Sequence, residues 1–358
     1  MKRLAITLLK LGVSAAIIYY CVNKYAHTRG PENENVFWNL IHQPKNGWML
    51  TAAVAACTVA TLITFVRWWY LVRALGIACR FWDAIRISFW GYLFNFAPLG
   101  IVSGDLLKVV ILDHEYPKHR ARAVASVLVD RVIGLFVLFL FVTAAILLTG
   151  FYGEHFADPF LRGACEIMFA VTAGTTAGLA LVMAPERHIG WLLRLVGRVP
   201  RVGPPLESLA RAVRMYRHKP LVLGLSSLAT VGVHGLFAVG VFCIACGLSP
   251  HGGHLSLADH LVAMPTSAAT QVIPVPLGPL EVVLDNFYNR VPVDGPPVVH
   301  GQGFIVALAY RLVTVLIAVF GLPFYFLGGR RREMAEALHE AEHPAGSNPP
   351  EEHPATSF

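Results

Sequence analysis

The stretch Ala123–Gly150 runs for 28 residues with two charged side chains, Asp130 and Arg131, and its later part, "VIGLFVLFLFVTAAILL", has none. A hydrocarbon core about 30 Å thick is crossed by roughly 20 apolar residues in a helix, so this stretch is long enough to span a bilayer. Lipid offers no hydrogen bonds, so any segment that crosses must satisfy its own backbone, and helices do this. Five further stretches meet the length test: Leu4–Cys21, Gly47–Val66, Ile167–Met183, Leu221–Gly247 and Phe304–Leu327. The composition agrees, at 55% hydrophobic and 14% charged residues, against about 25% charged in a soluble domain. The expected fold class is all-α and integral to the membrane, a polytopic helical bundle with about six spanning helices. The first stretch follows Lys2 and Arg3 as a signal peptide would. Lys10 interrupts it and no small-x-small site follows, so it reads as an uncleaved anchor.

A net charge of +7 raises the question of nucleic acid, but its distribution answers otherwise. With the N-terminus inside, most basic residues fall in cytoplasmic segments: Lys2 and Arg3; Arg67, Arg73, Arg80 and Arg86; Lys118, Arg120 and Arg122; Arg187 to Lys219; and Arg330 to Arg332. External segments keep only Lys24, Arg29, Lys45, Arg162 and Arg290. This is the positive-inside pattern, and it needs no nucleic-acid partner. Both termini are then cytoplasmic in a multi-pass cell-membrane protein. The basic loop around "RHIGWLLRLVGRV" is amphipathic and suits an anionic lipid surface. Residues 1–329 form the membrane domain, and 330–358 read as a largely disordered tail, acidic and Pro-rich after Arg332.

The topology imposes a condition. The chain is cytoplasmic after Val66 and again at Lys118, yet residues 87–112 between them are apolar. That segment must enter and leave by one face, as a hairpin of two short helices turning at "APLG". Residues 259–287 repeat the situation around "QVIPVPLGPLEVVL", from the opposite face. Two re-entrant helical hairpins in an inverted-repeat arrangement follow, and "DRVIGLFVLFL" and "YRLVTVLIAVF" rhyme in the spans after them. Gly/Pro-broken segments in matching halves point to a transporter's binding site.

The runs "GYLFNFAPLGIVSGDLLKVVIL", "ARAVASVLVDRVIGLFVLFL" and "IPVPLGPLEVVL" resemble the flippase-like transmembrane region of lysylphosphatidylglycerol synthases. The resemblance covers roughly residues 1–330. Where the family pattern reads near L-P-G-x-x-G-G-D, this chain has Ala97 to Asp105. The second pattern, P-x-x-P-G-G-x-G-x-x-E, is compressed to Pro274 to Glu281. The resemblance implies lipid translocation at a site between the hairpins, with no synthase domain, hence a protein that is not an enzyme.

Candidate substrate contacts are Asn95, Gly100, Ser103, Gly104, Asp105, Lys108, Asp130, Arg131, Pro274, Gly278, Glu281 and Arg311. An ionisable group at mid-membrane costs about 2.5–3.5 kcal/mol on insertion scales, so each needs a partner or a function. Asp105 opens a helix, where a carboxylate serves either as cap or as a site group. Lys108 either pairs with Asp105, meets a lipid phosphate, or snorkels to the interface. Asp130 and Arg131 are adjacent and cannot face one way, so each meets a different helix. Glu281 and Arg311 stand in the same relation to the second half. The glycines permit close backbone approach, either to a head group or to another helix. Asn95 satisfies open backbone or touches a head group, and Pro274 breaks a helix.

The expected partner is a membrane lipid, with a small polar solute or a non-transporting scaffold as alternatives, and association with further copies of the chain stays open. A hydrolase built on Ser103 and His234 lacks the G-x-S-x-G spacing. No cofactor or metal is expected. Cys243 and Cys246 read C-I-A-C inside a span, with no second ligand pair nearby.

Overall fold

The computed structural model describes residues 44–96, 104–184, 203–250, 253–272, 278–293 and 296–321, with Tyr19, Asn23, His42 and Pro323 as isolated positions. Among the described residues there are helices and no strands. In chain order they are α1 (Gly47–Ala74), α2 (Phe81–Phe96), α3 (Gly104–Glu115), α4 (Arg120–Thr149), α5 (Phe151–Glu154) and α6 (Pro159–Met183). There follow α7 (Gly203–Arg214), α8 (Pro220–Leu248), α9 (Leu257–Ala269), a 3₁₀ turn (Thr270–Val272), α10 (Pro279–Arg290) and α11 (Gln302–Val319).

Five of these, α1, α4, α6, α8 and α11, are long and apolar enough to cross a membrane. The chain is a multi-pass helical membrane protein. These five answer to five of the six expected spans; Leu4–Cys21, apart from Tyr19, lies outside the described residues. So do "RHIGWLLRLVGRV" and the tail 330–358.

Local chemistry sets the helix ends. Asn46 caps α1, its Oδ1 accepting from the N–H groups of Trp48 and Met49 at 3.1 and 3.3 Å. Asp158 does the same for α6 from Phe160 and Leu161, both at 2.9 Å, with Pro159 at the first helical position. Ser256 and Asp259 form a reciprocal capping box on α9. At the far end of α1, the Tyr216 hydroxyl donates to the Leu71 carbonyl at 3.0 Å and the Lys219 ammonium donates to that of Ala74. These are last-turn carbonyls with no partner inside the helix.

Packing is antiparallel where it matters. Helices α1 and α8 run against each other along their length, from Asn46 N–H on the Gly247 carbonyl at one end to Arg67 on Thr230 towards the other. Helices α2 and α3 also run antiparallel: Arg86 meets Glu115, Tyr116 donates to Asp83, and Asn95 meets Gly104. Their crossing is close because two glycines face each other. A β-carbon on Gly104 would lie 1.8 Å from the Gly91 carbonyl oxygen. Helices α9 and α10 pair likewise, with His260 2.8 Å from the Tyr288 hydroxyl. The connecting tips, 97–103 and 273–277, lie outside the described residues, and with them Gly100, Ser103 and Pro274. In each half, a long helix (α1, α8) precedes two short ones and then a span (α4, α11).

One sequence reading is corrected. Arg67, counted among the cytoplasmic basic residues, is buried within α1, which continues to Ala74. The apolar run "WWYLV" after it carries the helix on, and the guanidinium is held by an acid on a neighbouring helix rather than by water.

Candidate functional site

Asp105 stands in the first turn of α3, and Arg131 stands about 16 Å along α4 from Arg120 at 1.5 Å per residue. Arg131 Nε donates to Asp105 Oδ2 at 2.6 Å and Nη2 donates to Oδ1 at 2.8 Å. This two-pronged geometry matches the planar guanidinium to the carboxylate. The Arg131 side chain is nevertheless 55% exposed and that of Asp105 27%. A charged pair this open, on a helix long enough to span the membrane, is not enclosed in packed core.

The second half carries a matching pair in a closed setting. Glu281 lies in the first turn of α10 and is fully buried. Its Oε1 accepts from Arg311 Nε at 2.8 Å, and its Oε2 accepts from the Gly278 N–H at 2.8 Å. Gly278 sits at φ +120°, a conformation side-chain-bearing residues rarely adopt. Arg311 lies about 14 Å along α11 from Gln302 at 1.5 Å per residue. Asp285 then ties α10 to α11 by accepting from Phe304 N–H at 3.0 Å. Tyr92 of α2 lies within electrostatic reach of Arg311 of α11.

Asp130 and Arg131 face different helices, as their adjacency requires. Asp130 turns to α1, where Arg67 Nε donates to its Oδ1 at 2.8 Å and Arg67 Nη1 donates to Thr230 Oγ1 of α8 at 2.6 Å. All three are buried, so Asp130 is committed to joining α1, α4 and α8. Lys108 is paired with neither acid by an ion pair. It is buried, 8% exposed, with its ammonium 5.0 Å from the centre of the Trp68 ring. Asn95 satisfies backbone: its Oδ1 accepts from Gly104 N–H at 3.1 Å, closing the start of α3. Gly104 serves helix packing against Gly91. His234 lies against the Gly134 carbonyl at 3.1 Å.

The structure thus brings Asp105 to Arg131 and Glu281 to Arg311, and draws Asp130 away to Arg67. Sequence reasoning missed Arg67, Trp68, Gly91, Tyr92 and Thr230. Arg67 had a usable signal in the apolar residues that follow it. Gly91 and Trp68 had none, because their roles depend on which helix crosses them.

No curated protein matches the chain. The model of the lysylphosphatidylglycerol synthase transmembrane region matches residues 7–321, a stretch that includes every helix described above and both acid–arginine pairs. The chain belongs to the lysylphosphatidylglycerol synthase transmembrane-region family.

Proposed function

We propose that the protein translocates a membrane lipid, passing its head group through a polar site bounded by the two short-helix pairs while the acyl chains stay in lipid. The observation that carries this reading is the Asp105–Arg131 pair, charged, half open and near mid-span. The pair that joins helices in this protein, Arg67–Asp130, is enclosed, and this one is not. The opening suits a group that bears both signs of charge, as zwitterionic and aminoacylated head groups do.

The correspondence of Asp105–Arg131 with Glu281–Arg311 supports two halves acting as alternately opening sides. In this reading the pairs α2–α3 and α9–α10 enter the membrane from opposite faces, and both termini are cytoplasmic. The open first pair and the closed second pair then describe a site accessible from one side only.

The test is reconstitution into vesicles containing phospholipids with fluorescent acyl chains, followed by dithionite quenching of the outer leaflet. Wild-type protein is expected to render the inner-leaflet probe accessible, while Asp105→Asn and Glu281→Gln vesicles behave as protein-free ones. Wild-type vesicles no faster than protein-free vesicles, or an Asp105→Asn variant as fast as wild type, would overturn the proposal.

A further inference from the structure

Lys108 lies within electrostatic reach of four charged side chains, the acids Asp105 and Asp130 and the bases Arg67 and Arg131. Each acid is already taken by an arginine, Asp130 by Arg67 and Asp105 by Arg131. Lys108 is left over. Among the described residues its ammonium has no carboxylate within ion-pair distance and no hydrogen-bond acceptor, although the side chain is buried. The five side chains therefore carry one formal positive charge in excess.

The setting of that charge is specific. The Lys108 stem lies across Gly91, where a β-carbon would come within 2.8 Å of its Cε. Its ammonium faces the Trp68 ring, and a cation–π contact returns less than burying an ammonium costs. On α1 and α2, the buried side-chain atoms without a hydrogen-bond partner among the described residues include Trp68 Nε1 and, one turn before Gly91, Ser88 Oγ. Lysine and indole are donors only and the serine hydroxyl can donate as well, so an acceptor suits this corner, and the excess positive charge favours an anionic one.

The second half differs at this point. Three residues after Glu281 stands Leu284, where Lys108 stands three after Asp105. Leu284 is fully buried, and Glu281 and Arg311 balance each other.

We propose that Lys108, held between Trp68 and Gly91, is the anchor for one phosphate-bearing monoanion, and that the α9–α10 half has no counterpart to it. In the lipid-translocating reading, on which its physiological meaning rests, the anion is a lipid phosphodiester entering past the open Arg131 side. The substrate's phosphate is then gripped on one side of the site only.

A thermal-shift titration of the full-length protein in neutral detergent tests the site without requiring transport. The probes are short-chain phosphatidylglycerol, diacylglycerol with the same chains, and inorganic phosphate. Phosphatidylglycerol is expected to raise the unfolding temperature of wild type and of Lys108→Arg, with diacylglycerol producing no shift. In Lys108→Met the apparent affinity for phosphatidylglycerol falls about tenfold or more, the scale of one charge-assisted hydrogen bond. Lys108→Gln carries the same expectation if the methionine variant does not fold. Inorganic phosphate alone matching phosphatidylglycerol, with the same loss in Lys108→Met, keeps the site and names free phosphate as its ligand. An undiminished phosphatidylglycerol shift in Lys108→Met, or a diacylglycerol shift equal to it, overturns the proposal. Wild type that binds phosphatidylglycerol but moves no lipid would refute translocation and leave the site standing.

Discussion

Replacing Asp130 by alanine leaves the Arg67 guanidinium buried between α1, α4 and α8 with Thr230 as its remaining side-chain partner. Both members of the pair are less than a tenth exposed, so water cannot substitute for the lost carboxylate. Removing one partner from a buried pair costs about 3–5 kcal/mol, because the remaining charge is left uncompensated. Arg67→Met is expected to cost a similar amount, since it orphans Asp130. The double variant Arg67→Met, Asp130→Leu removes both charges and fills the space with apolar atoms. It is expected within about 1 kcal/mol of wild type, which makes the single effects strongly non-additive. Equilibrium unfolding in mixed micelles, with circular dichroism as readout, measures all four corners of the cycle. A cost below about 1 kcal/mol for Asp130→Ala, or a double variant as unstable as the sum of the singles, would refute the reasoning.

Asp105→Asn should behave in the opposite way: translocation is lost in the vesicle assay, while unfolding shifts by about 1 kcal/mol or less because the pair is already half open. Gly104→Ala forces a β-carbon onto the Gly91 carbonyl and is expected to cost about 3 kcal/mol by the same unfolding assay. Gly163→Ala in α6, which meets nothing within 4 Å, should be neutral or stabilise by about 0.5–1 kcal/mol. Asp158, outside the spans, has its carboxyl held below the ordinary value by the Leu161 N–H, aided by Arg290. Its cap on α6 therefore contributes fully above about pH 4 and fades as pH falls through the lowered value, a pH dependence of unfolding that Asp158→Ala should remove.

Much of the fold was legible because spanning helices announce themselves by length and apolar composition, as Ala123–Gly150 does. The short helices were legible for a different reason: proline and glycine at "APLG" and "IPVPLG" stop a helix wherever it lies. The acids and bases of the site could be named because charge is scarce in such a chain. Their pairing could not be read off the sequence. Nothing in the order of residues says that Asp130 reaches Arg67 across 63 positions, or that Arg131 reaches back to Asp105. Arg67 was misplaced because a basic residue ending an apolar run obeys the same positive-inside statistics as a true flank. The closeness of Gly91 to Gly104, and of Lys108 to Trp68, is a property of helix crossings, which local sequence does not encode.

In both halves the acid is made before the base that balances it. Asp105 leaves the ribosome ahead of Arg131, and Glu281 ahead of Arg311. At 5–20 residues per second the wait is about 1–6 s. During that interval Asp105 and Glu281 lack the arginine that later pairs with each, at an insertion cost of about 2.5–3.5 kcal/mol if centred in lipid. Neither the α2–α3 nor the α9–α10 segment has reason to settle until the next span has been synthesised. The order of assembly in the membrane is thus written into the order of the charges: long helices first, short pairs docked onto them afterwards.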